Sequence, residues 1–352
     1  MVKYLKLMLW PFSLLYGAVM AVRNTLYDKK WLASKEFGLP VLAVGNLTVG
    51  GTGKTPHVEY LLRLLQEKYR IATLSRGYKR RTRGFVLADK KATAASIGDE
   101  PYQYFRDFSQ VQVAVCEDRV KGVELLLEHT PSLDAILLDD AMQHRSIKPS
   151  LNLLITDYNR PFYKDFVLPA GLLREFRGGA KRADVVLVSK CPNDLISNEV
   201  EQIKSQVRKF ARSAVPVFFT SYVYANPVAI GSTKALQKHV FLLTGIANAA
   251  PLKDYLLQED YTVLHHFAYP DHHQYSKSDL STLQQAIASN KKTGAVILTT
   301  RKDAVKLLSE ELIGITSQLP LFYIPIEVSF LKDKAVFDQL ILDHISSKQA
   351  IK

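Results

Sequence analysis

The residues with the plainest chemical consequence are Val44–His57, VGNLTVGGTGKTPH. An apolar run, Leu39–Val44, leads into a glycine-rich loop ending in Gly53-Lys54-Thr55, and an amphipathic pattern of Val58, Leu61, Leu62 and Leu65 follows at once. Strand, glycine loop and helix start in that order are the context of a phosphate-binding loop. The loop Thr48, Val49, Gly50, Gly51, Thr52 and Gly53 would present backbone N–H groups to phosphate oxygens at a positive helix end. Lys54 would reach the β- and γ-phosphates and Thr55 would hold Mg²⁺, which makes a nucleoside triphosphate the expected cofactor. The usual formula G-x-x-x-x-G-K-[ST] places its first glycine where this chain has Thr48, so a plain glycine-rich turn is the alternative.

Five further clusters could carry chemistry. Leu133–His144, LDAILLDDAMQH, is an apolar strand ending in Asp139-Asp140. A carboxylate at such a strand end can hold Mg²⁺ beside a phosphate loop, or simply cap a helix. Gln143 and His144 would project from the same turn. Ser75–Arg83, SRGYKRRTR, has five basic residues in nine. Arg76, beside Tyr78, suits an anionic substrate, while Lys79–Arg83 reads equally well as a solvated charge run. In Gly98-Asp99-Glu100-Pro101, Asp99 is either a general base or an N-cap, and residue physics alone favours the cap. Gly171–Gly179, GLLREFRGG, offers Arg174 to stabilise transferred phosphate and Glu175 to contact Mg²⁺, or else a mixed-charge surface loop. Asp271-His272-His273 has no third ligand spaced to complete a metal site, and a histidine there could instead meet Asp99 across a cleft.

These residues need a frame. Short apolar runs at Val41–Val44, Ile71–Ser75, Val111–Val115, Ala135–Leu138, Leu151–Thr156 and Val185–Ser189 predict a parallel sheet covered on both faces. Helical patterns such as His57–Glu67 and Arg119–Glu128 lie between them, giving an α/β, doubly wound, P-loop NTPase-like domain over residues 37–215. A second, smaller α/β unit spans 226–320, with strands at Val240–Thr244 and Ala295–Thr300. The β-branched and aromatic segments 216–225 and 321–330 are expected to pair as a two-stranded linker, and 332–352 to return as a helix to the first domain.

The chain has 352 residues, 47% of them apolar and 23% charged, as in ordinary globular proteins. Two cysteines, Cys116 and Cys191, make no disulfide framework. A net charge of +12 points to an anionic partner. Leu7–Val22 runs 16 residues without a charge, between Lys3, Lys6 and Arg23, Lys29, Lys30. As a helix it would be about 24 Å long, short of a bilayer core of about 30 Å. Residues 1–36 therefore read as an interfacial membrane helix region, with a signal peptide or a buried core helix as rivals.

Taken in order, GNLTVGGTGKTP, SRGY, GDEP, DDAMQH, PAGLLRE and PDHHQY resemble the tetraacyldisaccharide 4′-kinase (lipid A 4′-kinase) family. The resemblance implies transfer of the γ-phosphate of ATP, with Mg²⁺, to the 4′-hydroxyl of an acylated glucosamine disaccharide 1-phosphate. It implies Asp99 as catalytic base partnered by His272, with Lys54 and Arg174 assisting. It also implies metal contacts from Thr55, Asp139 and Glu175, and substrate contacts from Arg76, Tyr78, Asp140, Gln143 and His144. Its setting would be the cytoplasmic face of the bacterial inner membrane, as a peripheral monomer with no nucleic-acid partner. The family usually has glycine after the paired aspartates, where this chain has Ala141. Gly would permit positive φ at that turn at little cost, and Ala would not.

Two rivals are testable from the residues. A transport or chaperone ATPase would couple hydrolysis to movement, but no Leu-Ser-Gly-Gly-like signature is present. A nucleic-acid binder would need aromatics or a recognition helix on the basic surface, and neither is found.

Overall fold

A computed structural model describes residues 2–232, 235–271 and 273–349, with side chains from Met8 onward. The larger body carries strands β1 (Val41–Gly45), β2 (Ile71–Ser75), β3 (Val86–Leu87), β4 (Gln112–Val115), β5 (Ala135–Asp139), β6 (Leu151–Asp157), β7 (Val185–Ser189) and β8 (Val217–Tyr224). The smaller body carries β9 (Val228–Ala229), β10 (His239–Thr244), β11 (Thr262–Ala268), β12 (Val296–Thr300) and β13 (Leu321–Ile324), and β14 (Ile326–Phe330) returns to the larger. Helices are α1 (Val2–Asp28), α2 (Lys54–Leu65), α3 (Ala94–Ile97), α4 (Asp99–Asp107), α5 (Arg119–His129), α6 (Ser197–Arg208), α7 (Ala250–Gln258), α8 (Lys277–Ser289), α9 (Arg301–Leu307), α10 (Ile313–Thr316) and α11 (Lys334–Gln349).

The nine-stranded sheet has the order β14-β8-β7-β6-β1-β5-β2-β4-β3. The buried runs β1, β2, β5 and β7 have no exposed residue at all, because helices cover both faces. On one face, Val58, Leu61 and Leu62 of α2, Tyr104 of α4 and Phe337 and Ile341 of α11 pack on Leu42, Leu137 and Leu153. On the other, α5 supplies Val123 and Leu126 against Ile136 and Leu138, and α6 supplies Ile203 and Val207 beside Val186 and Val188. The five-stranded sheet, β11-β10-β12-β13-β9, repeats the arrangement with α7 on one face and α8 on the other.

The predicted 321–330 strand divides at Pro325. Leu321–Ile324 pairs in parallel with β12 in the smaller sheet, whereas Ile326–Phe330 pairs antiparallel with Tyr224–Thr220 of β8. β8 also pairs in parallel with β7, so the connection between bodies is an edge of the large sheet rather than a free ribbon. The division follows from chemistry: proline has no N–H to continue a ladder. The C-terminal helix packs on the first domain, and 350–352 lie outside the described residues.

Candidate active site

The site is assembled by strand register. β1 lies between β5 and β6, and Val44 is paired in parallel with Asp139. The loop after β1 and the aspartates ending β5 therefore emerge side by side at the carboxyl edge of the sheet. Gly53 takes φ 90° and ψ 22°, and α2 begins at Lys54 with no side-chain cap, leaving its first N–H groups free for a ligand. Asn46 Nδ2 donates to Thr52 Oγ1 at 2.6 Å, Ser189 Oγ donates to the Thr52 carbonyl at 2.7 Å, and Lys190 Nζ donates to the Gly51 carbonyl at 2.5 Å. Thr48 bridges to Leu173, and Val49 N–H bonds the Leu172 carbonyl at 2.8 Å. The irregular glycine spacing is thus compensated by braces from β7 and from the 170–175 loop.

The paired aspartates are electrically distinct. Asp139 is 3% exposed and accepts from Tyr104 Oη at 3.0 Å on Oδ2, while its Oδ1 is buried without a partner. Burial first, and Glu100 second, push its carboxyl up to about 7. At Asp140 burial also raises the carboxyl, but Lys54 and Arg174 outweigh it and hold it below the ordinary value. Lys54 Nζ is 3.6 Å from Asp140 Oδ1, and Arg174 Nη1 reaches both Asp140 oxygens at 3.0 Å and Gln143 Oε1 at 3.2 Å. Asp140, not Ala141, is the left-handed residue of this turn, at φ 51°. Aspartate tolerates that conformation better than most residues, and Ala141 sits buried in an ordinary one. The turn therefore needs no glycine after Asp140.

Asp99 is the first residue of α4, and the cap position belongs to Gly98, with no side-chain capping bond. The cap reading favoured by residue physics is overturned. Gly98 at φ 97° packs against Gly77 and the Tyr78 carbonyl, so the GDEP and SRGY loops lie back to back. Arg76 and Tyr78 are exposed beside it. Of the basic run, Arg80 is buried against Glu117 at 2.6 Å, whereas Lys79, Arg81 and Arg83 face solvent. His144 Nε2 is bonded to the Glu117 carbonyl at 2.8 Å, and burial followed by Arg119 lowers it to about 4, so the ring is neutral. Glu175 is 1% exposed and fully engaged: Arg182 at 2.6 Å, Gln143 at 3.1 Å and Asn24 at 2.7 Å.

A family model for tetraacyldisaccharide-1-P 4′-kinase matches residues 5–346. The tetraacyldisaccharide 4′-kinase of Flavobacterium johnsoniae is 42% identical over 344 residues, covering 97% of each chain. That of Bacteroides thetaiotaomicron is 41% identical over 355 residues, covering 96% of this chain and 92% of its own. The crystal structure of LpxK from Aquifex aeolicus, described as an "apo" form in complex with ATP, is 30% identical with a TM-score of 0.75, covering 97% and 99% of the two chains. This chain belongs to the tetraacyldisaccharide 4′-kinase family. It is an ATP-dependent kinase of the 4′-hydroxyl of tetraacyldisaccharide 1-phosphate, in lipid A biosynthesis.

The kinase also carries site residues that local sequence patterns do not single out. Glu100 Oε1 lies 3.5 Å from Thr55 Oγ1, and crowding of its carboxyl by protein raises it, with Lys54 opposing. Arg119 is 2% exposed behind the aspartates, and burial lowers it to about 10 although Asp139 and Asp140 oppose this. A carboxylate next to Asp99 and an arginine at a helix start were the available signals. In the smaller body His273 stacks on Tyr269 with centroids 4.3 Å apart and bonds Asp279 at 3.1 Å, which commits it to the loop. His272 lies outside the described residues.

Proposed function

We propose that Asp99 acts as general base toward the 4′-hydroxyl while Lys54 and Arg174 neutralise the transferred phosphoryl group. The observation that carries this reading is the convergence, at one sheet edge, of the Gly53–Thr55 helix start, the Lys54–Asp140–Arg174 contacts and the start of α4. Phosphoryl transfer asks chiefly for positioning and charge neutralisation. The phosphate loop would hold the β- and γ-phosphates on its N–H groups. Arg174, now held by Asp140, is placed to turn toward the incoming γ-phosphate, and Gln143 keeps its guanidinium at the sheet edge. Asp99, the first residue of α4, would take the hydroxyl proton. His272 is its proposed partner. Arg76, Tyr78 and His144 would meet the sugar and its 1-phosphate.

Mg²⁺ fits the donor set. Thr55, Glu100 and Asp139 offer hard oxygens, and the unpartnered buried Oδ1 of Asp139 is an orphan that a cation would satisfy. Among the described residues no group of three His, Cys, Asp or Glu forms a full cage. Nucleotide-bound Mg²⁺ needs only one or two protein carboxylates, because phosphates and water complete it. Bound there, it would offset charge on the phosphate oxygens. Glu175, predicted as a metal contact, is instead proposed as a positioning residue, since both its oxygens are taken.

Membrane association is proposed through α1. No helix among the described residues is long and apolar enough to cross a membrane. Yet α1 leaves Met8, Phe12, Leu15, Val19 and Val22 exposed, with Leu15 at 67%. An apolar face open to solvent beside flanking lysines suits the interface of the inner membrane's cytoplasmic leaflet. The deciding assay is transfer of labelled γ-phosphate from ATP to the disaccharide lipid in detergent by the wild type and Asp99→Ala. Hydrolysis without labelled lipid would point to a coupling ATPase instead. Removal of residues 1–25 should release the protein from vesicles.

A further inference from the structure

We infer that Asn24 is a positioning residue that couples the seating of α1 on a lipid surface to the phosphate-handling side chains. This rests on the kinase and membrane readings above. The helix is amphipathic in an unusual sense. Its inward stripe is Ser13, Gly17 and Asn24, and its outward face is apolar. A side chain at Gly17 would overlap the Phe176 ring, so the helix is seated closely on the 170–176 segment.

Among the described residues, the side-chain hydrogen bonds between α1 and the rest of the chain all go to two loops, and both belong to the site. Ser13 Oγ accepts from Ala170 N–H at 2.8 Å, and Tyr16 Oη donates to the Arg174 carbonyl at 3.1 Å. Arg23 donates to the Gln143 carbonyl at 3.1 Å, and Arg145 donates back to the Asn24 carbonyl at 3.1 Å and to Asp28 at 2.7 Å. The interior tie is Asn24 Nδ2 to Glu175 Oε2 at 2.7 Å.

From Glu175 the contacts lead directly to the phosphate site. Gln143 Nε2 donates to Glu175 Oε1 and to the Asn46 carbonyl at the entry to the phosphate loop. Gln143 Oε1 accepts from Arg174, which grips Asp140, which faces Lys54. Without the Asn24 amide, one oxygen of a buried carboxylate loses its donor. The carboxylate then shifts toward Arg182 and releases Gln143, and with it the aim of Arg174. A helix lodged at a lipid surface holds Asn24 in place; a helix loose in water does not.

The test uses the full chain, vesicles of phosphatidylethanolamine and phosphatidylglycerol, and a short-acyl, water-soluble disaccharide 1-phosphate as acceptor. Wild-type turnover of this soluble acceptor rises when vesicles are added. Asn24→Ala sediments with vesicles like the wild type, but the rise disappears. Its kcat on vesicles falls about tenfold, the size of one hydrogen bond to a charged group, with KM for ATP unchanged. Asn24→Ser, which keeps a shorter donor, falls between and serves if the alanine variant does not fold. Retention of the rise in both variants overturns the role of Asn24, as does an equal loss of kcat with and without vesicles. A wild type that sediments but is not stimulated overturns the coupling alone. A wild type left in the supernatant overturns the membrane reading and this one with it, and absence of labelled acceptor under all conditions overturns the assignment of the site.

Discussion

Replacing Asp139 by Asn should stabilise the nucleotide-free protein, and increasingly so as pH rises. The carboxyl is buried, one oxygen has only Tyr104 as donor, and the other has none. Burial, then Glu100, raises it from 3.8 to about 7 in the folded state. The folded state therefore holds this proton more tightly than the unfolded chain. Below pH ~4 both states carry the proton and the group costs nothing. Above about pH 7 both are ionised, and the folded state bears the full penalty of about 4 kcal/mol, at ~1.36 kcal/mol per pH unit. Stability contributed through this group thus declines between about pH 4 and pH 7. Asparagine keeps the shape and the acceptor for Tyr104 but cannot ionise. Urea denaturation followed by far-ultraviolet circular dichroism should find Asp139→Asn more stable by about 4 kcal/mol at pH 8 and by less than half of that at pH 5. MgATP should reverse the order by stabilising the wild type more. A variant less stable at pH 8, or a gain identical at both pH values, would refute the reasoning.

Asp99→Ala should lower kcat by between about 100- and 10,000-fold while leaving ATP affinity intact, measured by labelled-phosphate transfer and nucleotide titration. Parallel loss of both would return Asp99 to a structural role. Lys54→Met should weaken ATP binding by at least about tenfold in calorimetry, since it removes a charge-assisted bond and leaves Asp140 paired only with Arg174. Gly53→Ala should abolish nucleotide binding, because its Cβ would overlap Tyr222 Oη and its φ of 90° suits glycine alone. Adding Tyr222→Ala should recover only part of the stability, leaving ~1–3 kcal/mol of backbone strain.

The phosphate loop was legible in the sequence because its signals are contiguous: apolar strand, glycines, Lys54-Thr55, amphipathic helix. Asp139 was legible for the same reason, as the last residue of an apolar run, and parallel pairing then had to bring it beside β1. Periodicity also located the strands β1, β2, β5 and β7 to within a residue. Residue type alone misjudged Asp99, because an acidic residue before Pro101 looks like a cap, and only the backbone reveals that Gly98 holds that place. It undervalued Glu100, whose nearness to Thr55 depends on how α4 docks against α2.

The amino-acid order by itself determined that a glycine loop would run into a helix start at Gly53–Thr55, since a loop and the helix it starts are local and carry their own N–H groups. Tertiary structure alone decided which groups Glu175 bonds. Its partner Asn24 stands 151 residues away, and such a bond exists only after α1 has been seated on the 170–176 segment. The same holds for the outward apolar face of α1. The pattern announced an apolar helix, but only its packing through Ser13, Gly17 and Asn24 settled which side was left exposed.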